Sequence, residues 1–159
     1  MGKAIFFLII FTLLSNTVWA TDPIIGTWKL NYEKSKLNQS ADEQNSKEEI
    51  NVYRETEDNK IELATTTLLK DGSTESSKWI WPKEGGVAKC VSRKIPENML
   101  YVEIVVEPGH WYVPIMRDGR KVSMYHKKVS KDRKTLTQTL KGLGRDGNPV
   151  DILMVWDRQ

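Results

Sequence analysis

The stretch Ile24-Ile25-Gly26-Thr27-Trp28-Lys29-Leu30 opens a series of short β-type segments that continues to the end of the chain. Trp28 and Leu30 stand two positions apart, so both side chains point to one face of a strand. Gly26 permits a tight bend at the point where that strand begins. The stretch therefore predicts an opening strand whose Trp28 closes the base of a barrel or a sandwich.

The segments that follow are short, alternate between apolar and polar residues, and are joined by tight turns. Asp-Gly pairs, a strong signal for hairpin turns, occur at Asp71-Gly72, Asp118-Gly119 and Asp146-Gly147. We therefore predict an all-β fold, an antiparallel up-and-down β-barrel of about 8–10 strands. Pairing of the first strand with the last one, Val150 to Trp156, would remove both exposed edges. A β-sandwich is the alternative, although it usually needs longer crossover connections.

The N-terminal segment has the features of a secretory signal peptide. Lys3 supplies a positive charge, and Val18-Trp19-Ala20 is a small-x-small cleavage sequence. The apolar run between them, Ala4 to Leu14, is shorter than the roughly 20 residues that span a bilayer. We predict cleavage after Ala20, no stable membrane insertion afterwards, and a secreted or periplasmic location. Residues 21–159 then form a single domain.

Charge and cysteine content limit the possible functions. The formal net charge of the whole chain is +3, which argues against a dedicated nucleic-acid surface. We expect the basic segments Lys127-Lys128 and Lys131 to Lys134 to be solvated turns. Cys90 is the single cysteine, which excludes an intrachain disulfide. Its alternation with Ala88 and Ser92 predicts a small side chain that is buried in a strand.

Motifs at both ends of the chain resemble those of a known fold family. Gly26-Thr27-Trp28-Lys29-Leu30 resembles the first strand of the calycin barrels, which include lipocalins and fatty-acid-binding proteins. The segments Lys34 to Lys36, Ser130 to Thr137 and Gly147 to Val150 are similar to those of small exported bacterial proteins described as lipocalin-like. The resemblance covers most of residues 21–159. It implies a lipocalin-like barrel but does not indicate a particular activity.

The chain also departs from these families. Fatty-acid-binding proteins hold a carboxylate with an Arg-x-Tyr near the last strand, where this chain has Met154-Val155-Trp156. Glu33 to Lys47 lacks the apolar stripe of their helical lid. In lipocalins a basic side chain often covers the first-strand tryptophan, and the resemblance implies that Arg158 stacks on Trp28 in this way. Gly26, Trp28 and Arg158 are therefore predicted to be closure residues.

Aromatic side chains are concentrated in the middle strands. Side chains of one parity line the inside of a barrel, where they could hold an apolar or planar ligand. From sequence, both an empty cavity and an interior filled by these side chains remain open. The candidate ligand-binding residues are Trp79, Trp81, Tyr101, Trp111, Tyr112, Tyr125 and His126.

The two histidines, His110 and His126, are the candidates for proton transfer. Contact between them is possible across the hairpin at Arg117 to Arg120 but is not required by it. No carboxylate or cysteine stands at ligand spacing around them, so the sequence predicts structural histidines and no metal site. No sequence motif points to a cofactor.

Two carboxylates, Glu103 and Glu107, share a strand face with Tyr101. They would form a buried acid–base pair if that face pointed inward. The opposite face is uniformly apolar, so we predict that it is the buried one and that both glutamates face solvent. Its residues are Leu100, Val102, Ile104 and Val106.

The leading hypothesis is an exported barrel that binds a small hydrophobic molecule non-covalently. One alternative is an isomerase or cyclase whose Tyr and His side chains polarise a substrate in the same pocket. Another is a filled barrel that acts as an interaction module through its surface. The chain contains no phosphate-binding loop and no Gly-x-Ser-x-Gly motif.

Overall fold

The computed structural model describes residues 21–37, 45–144 and 146–159. The predicted signal peptide, residues 1–20, lies outside the described residues. In the described part of the chain, no helix is both long enough and apolar enough to cross a membrane.

Within the described residues, ten antiparallel strands form one closed barrel in which each strand pairs with its neighbours in sequence. The first strand also pairs with the last one, with Trp28 opposite Arg158, and this pairing closes the barrel. The predicted up-and-down barrel is confirmed, and the sandwich alternative is wrong. The strands are β1 (Gly26–Leu30), β2 (Ser46–Glu55), β3 (Lys60–Leu69), β4 (Thr74–Pro82), β5 (Gly86–Cys90), β6 (Met99–Glu107), β7 (His110–Arg117), β8 (Arg120–Val129), β9 (Thr135–Leu143) and β10 (Pro149–Arg158).

The hairpin between β7 and β8 illustrates how local sequence determines the meander. Asp118 and Gly119 have φ angles of 51° and 73°. Positive φ at both central residues gives a turn whose twist matches that of the flanking strands. Arg117 and Arg120 pair directly across this turn.

An apolar core fills the barrel around Trp28. The Trp28 side chain is fully buried, and its Nε1 donates a hydrogen bond of 2.7 Å to the Ile24 carbonyl. Several core members stand where strands begin or end, such as Trp111 in β7 and Trp156 in β10, so the core occupies one end of the barrel. Its members are Ile24, Trp28, Leu30, Tyr53, Ile61, Trp81, Ala88, Trp111, Val129, Leu136 and Trp156.

Arg158 covers this core from outside. Its guanidinium carbon lies 4.2 Å from the centroid of the Trp28 ring. The guanidinium also donates hydrogen bonds to the carbonyls of Ile25 and Pro23. A Cβ atom at Gly26 would collide with the guanidinium, so glycine is needed there to leave space for Arg158. The three closure residues thus act together to join the two ends of the described chain.

Strand β6 faces the opposite way from the prediction. Glu103 is only 5% exposed, whereas Leu100, Ile104 and Val106 are 46%, 47% and 51% exposed. Alternation shows which residues share a face, but it does not show which face is inside. Glu107 is exposed, so the two glutamates do not form a buried acid–base pair.

Lys127 also differs from its predicted position in a solvated turn. It lies within β8 and is buried, whereas Lys128 is exposed, because consecutive side chains of a strand point to opposite faces. The prediction is correct for Lys131 to Lys134, which are exposed in the turn before β9.

Cys90 is half-buried at the end of β5, not buried as predicted. Its Sγ lies 3.5 Å from the Ser92 hydroxyl. Burial raises the pKa of the Cys90 thiol, but hydrogen bonds with Ser92 and with the backbone, and the charge of Arg93, outweigh this effect. The net result is a pKa below the usual value of a thiol.

Candidate ligand-binding cavity

The interior of the barrel contains a cavity of about 320 Å³ beside the Trp28 core. This volume lies at the lower end of the range for small-molecule sites, roughly 300–1,000 Å³. The side chains therefore do not fill the interior, which answers the question that the sequence left open. The cavity is lined by Glu49, Asn51, Tyr53, Leu63, Thr65, Ser77, Trp79, Trp81, Ala88, Arg93, Tyr101, Glu103, Val113, Tyr125, Lys127, Gln138, Met154 and Trp156.

Four of the predicted ligand-binding residues, Trp79, Trp81, Tyr101 and Tyr125, line this cavity. The rings of Trp79 and Tyr101 meet edge to face, with centroids 4.8 Å apart and an interplanar angle of 61°. They come from β4 and β6, and β5 lies between these two strands in the barrel. The two rings can meet across β5 because the barrel wall curves inward, and together they form an aromatic side of the cavity.

The other three predicted residues do not line the cavity. Trp111 is buried in the packed core around Trp28. Tyr112 and His126 pair directly between β7 and β8 and lie on the outer face of the wall. Tyr112 and His126 point outward because their sequence neighbours Trp111 and Lys127 point inward, and consecutive side chains of a strand point to opposite faces.

The two histidines contact each other on this outer face. Their Nε2 atoms are 2.7 Å apart, so one ring donates a hydrogen bond to the other. The Tyr112 ring stacks on His126, with centroids 4.7 Å apart. Burial lowers the pKa of His126, and the charges of His110 and Lys128 lower it further. His126 is therefore favoured in its neutral form, in which one ring nitrogen can accept a hydrogen bond.

No group of three or more His, Cys, Asp or Glu side chains in residues 21–37, 45–144 and 146–159 is placed to hold a metal ion. Glu107 is the acidic group beside the histidine pair, and its Oε1 lies 3.6 Å from Nδ1 of His110. This carboxylate is on the Nδ1 side of the ring, away from the Nε2 contact, so it does not extend the pair.

Five lining residues form a connected group, which we call the polar floor: Tyr53, Trp81, Glu103, Lys127 and Gln138. Lys127 Nζ donates a hydrogen bond of 2.8 Å to Glu103 Oε1, and both side chains are buried. The same Nζ lies 5.1 Å from the centroid of the Trp81 ring, a cation–π contact. Gln138 Nε2 donates a hydrogen bond of 3.0 Å to the Tyr53 hydroxyl.

Tyr53 connects the polar floor to the apolar core. Its ring meets Trp81 edge to face, with centroids 6.3 Å apart. Burial raises the pKa of Tyr53, and the charge of Glu103 raises it further. The phenol therefore stays neutral, and its oxygen keeps the hydrogen bond from Gln138.

Three buried polar atoms of the lining residues have no hydrogen-bond partner among the described residues. They are the Oε2 atom of Glu103 and the Nε1 atoms of Trp81 and Trp156. Leaving a buried donor or acceptor unpaired costs about 1–3 kcal/mol. One strong acceptor and two donors of the lining residues are therefore left unsatisfied by the described residues.

Sequence reasoning missed most of the polar floor. Glu103 and Lys127 are 24 positions apart and lie on β6 and β8, so no local spacing links them. One signal was present nonetheless. Tyr101 and Glu103 share a face, so the prediction that Tyr101 contacts a ligand inside the barrel also required Glu103 to face inward.

Solved structures with the same fold are found at low sequence identity. The fluorescent protein UnaG aligns with a TM-score of 0.55 and 13% identity, over 86% of this chain and 97% of its own. Zebrafish ileal bile acid-binding protein complexed with cholic acid aligns with a TM-score of 0.50 and 12% identity, over 86% of this chain and 99% of its own.

No protein-family model and no curated protein matches the sequence. The likeness to solved structures is structural, and at this identity it establishes the fold alone. It agrees with the closed ten-strand topology of the described residues and confirms the predicted barrel. The chain therefore has the closed antiparallel β-barrel fold that these solved structures share.

Proposed function

We propose that this protein binds a small, largely hydrophobic molecule non-covalently inside the barrel, and that it does so outside the cytoplasm. The observation that carries the proposal is the cavity of about 320 Å³, which is lined by aromatic, apolar and unpaired polar groups. A barrel of the same fold, the zebrafish ileal bile acid-binding protein, is complexed with cholic acid, which supports the proposal.

The apolar part of the lining supplies the main attraction for such a molecule. Leu63, Trp79, Val113 and Met154 offer apolar surface to the cavity. Contact with about 200 Å² of apolar ligand surface would contribute roughly 5 kcal/mol, at about 25 cal/mol per Å². Loss of translational and rotational freedom opposes binding by at least about 4 kcal/mol. Hydrophobic contact alone therefore gives weak binding, and the polar groups decide affinity and selectivity.

Tryptophan fluorescence tests whether the cavity binds such a molecule. Titration of residues 21–159 with the neutral probe N-phenyl-1-naphthylamine should quench tryptophan emission saturably, because Trp79 and Trp81 line the cavity. The Trp79→Phe variant should lose part of this quenching, because Trp81 and Trp156 also line the cavity. The matched variant Trp111→Phe should retain it, because Trp111 lies in the packed core.

Circular dichroism of both variants would show that the barrel is still folded. Unsaturable quenching in the wild-type protein, or equal quenching in the two variants, would contradict binding in this cavity. A panel of apolar probes that all fail to saturate would lead us to abandon the proposed function.

The leader Met1 to Ala20 supports the proposed location. Its charge, apolar run and cleavage sequence are those of a secretory signal peptide. Expression of the whole chain should give an extracytoplasmic protein whose intact mass corresponds to a start at Thr21. Recovery of the protein only from the cytoplasm, with the leader retained, would contradict export.

A further inference from the structure

We propose that the polar floor binds the head group of the ligand, and that this head group is a neutral alcohol or amide, which both donates and accepts hydrogen bonds. The inference rests on the proposed function, because it names the class of molecule that the same cavity takes. It follows from three features of the polar floor: an unpaired acceptor, an unpaired donor and an ion pair that is already complete.

The unpaired acceptor requires a donor on the ligand. Lys127 occupies only Oε1 of Glu103, at 2.8 Å, and Oε2 accepts no hydrogen bond from any described residue. Glu103 is 95% buried at the cavity wall, so among the described residues this oxygen is a buried acceptor without a donor. An O–H or N–H group on a bound molecule would satisfy it with a charge-assisted hydrogen bond.

The unpaired donor requires an acceptor on the ligand. Trp81 Nε1 is buried and donates to no described residue, although an indole N–H normally finds a partner when it is buried. Lys127 contacts both Glu103 and the Trp81 ring, so the unpaired acceptor and this donor belong to one part of the lining. One small group with both functions, such as a hydroxyl or an amide, suits this part of the cavity.

The ion pair excludes a charged head group. A carboxylate placed here would meet the unpaired oxygen of Glu103, and an ammonium group would meet Lys127 Nζ. Because the two charges already neutralise each other, an ionic head group at the polar floor would lose its hydration without gaining a counter-charge there. The other charged lining residues, Glu49 and Arg93, are not part of the polar floor. The polar floor is thus selective against the fatty-acid type of head group.

A series of probes with one alkyl chain and different ends tests the inference. We would measure displacement of N-phenyl-1-naphthylamine by decanol, decanamide, decyl methyl ether and decanoate. Decanol and decanamide should bind at least about tenfold more tightly than the ether, which cannot donate a hydrogen bond, because one good hydrogen bond to a charged group has at least this effect. They should also bind more tightly than decanoate.

Two variants assign the effect to the polar floor. The double variant Glu103→Leu with Lys127→Met removes the acceptor without leaving a buried charge, and it should abolish the difference between decanol and its ether. Glu49→Gln is the matched control, because it removes a lining carboxylate that is not part of the polar floor, and it should preserve that difference.

Each outcome has a distinct meaning. Equal binding of all four probes, or a difference that survives in the double variant, would overturn the inference while leaving the proposed function intact. Failure of every probe, together with unsaturable fluorescence quenching, would overturn both. If the double variant did not fold, the comparison of decanol with its ether in the wild-type protein would still decide the question.

Discussion

The Lys127→Met variant should lose about 3–5 kcal/mol of unfolding free energy, the usual cost of removing one partner of a buried ion pair. Lys127 donates its hydrogen bond to Glu103 within the barrel, and both side chains are less than 10% exposed. Methionine has a similar length but no charge, so Glu103 would stay buried without a counter-charge. Urea denaturation followed by circular dichroism would measure the loss.

Two controls separate the unpaired charge from the loss of packing. Lys128→Met changes the neighbouring lysine, which is exposed, and should alter the unfolding free energy by no more than about 0.5 kcal/mol. The double variant Glu103→Leu with Lys127→Met should recover most of the loss, because apolar replacement of a buried pair is often neutral or stabilising. If the single and double variants were equally unstable, the unpaired carboxylate would not be the cause.

The Trp28→Ala variant should lose about 3–5 kcal/mol, the usual range for removing a large aromatic side chain from a core. Trp28 is fully buried, donates a hydrogen bond to the Ile24 carbonyl and supports the Arg158 guanidinium. The substitution therefore weakens the contact between the two ends of the described chain. Since domains of this size are stable by about 5–15 kcal/mol, the loss is a large share of the total.

Trp79→Ala is the matched comparison for this second prediction. Trp79 is half-buried and borders an existing cavity, so its removal creates little new empty volume in a packed region. It should cost clearly less than Trp28→Ala in the same urea titration. An equal loss in the two variants would contradict the central role that we give to the closure residues.

The candidate site was predictable in part, and the errors have a common geometric cause. Tyr125 and His126 are adjacent in β8, as Trp111 and Tyr112 are in β7, so neither pair can place both side chains in the cavity. The order of residues indicates that one member of each pair faces inward. It does not indicate which one, because register shifts, such as those that leave Val106 of β6 and Val122 of β8 without a direct partner, change the parity of a strand along its length.

The sequence by itself determined the barrel, its hairpins and its closed end. These features depend on short-range chemistry: positive φ angles at Asp118-Gly119, strand alternation, and Trp28 two positions after Gly26. The tertiary structure alone decided the orientation of β6 and the pairing of Glu103 with Lys127. The physical reason is that a carboxylate becomes acceptable inside a barrel only when a distant strand supplies its counter-charge, and neither strand's own pattern contains that information.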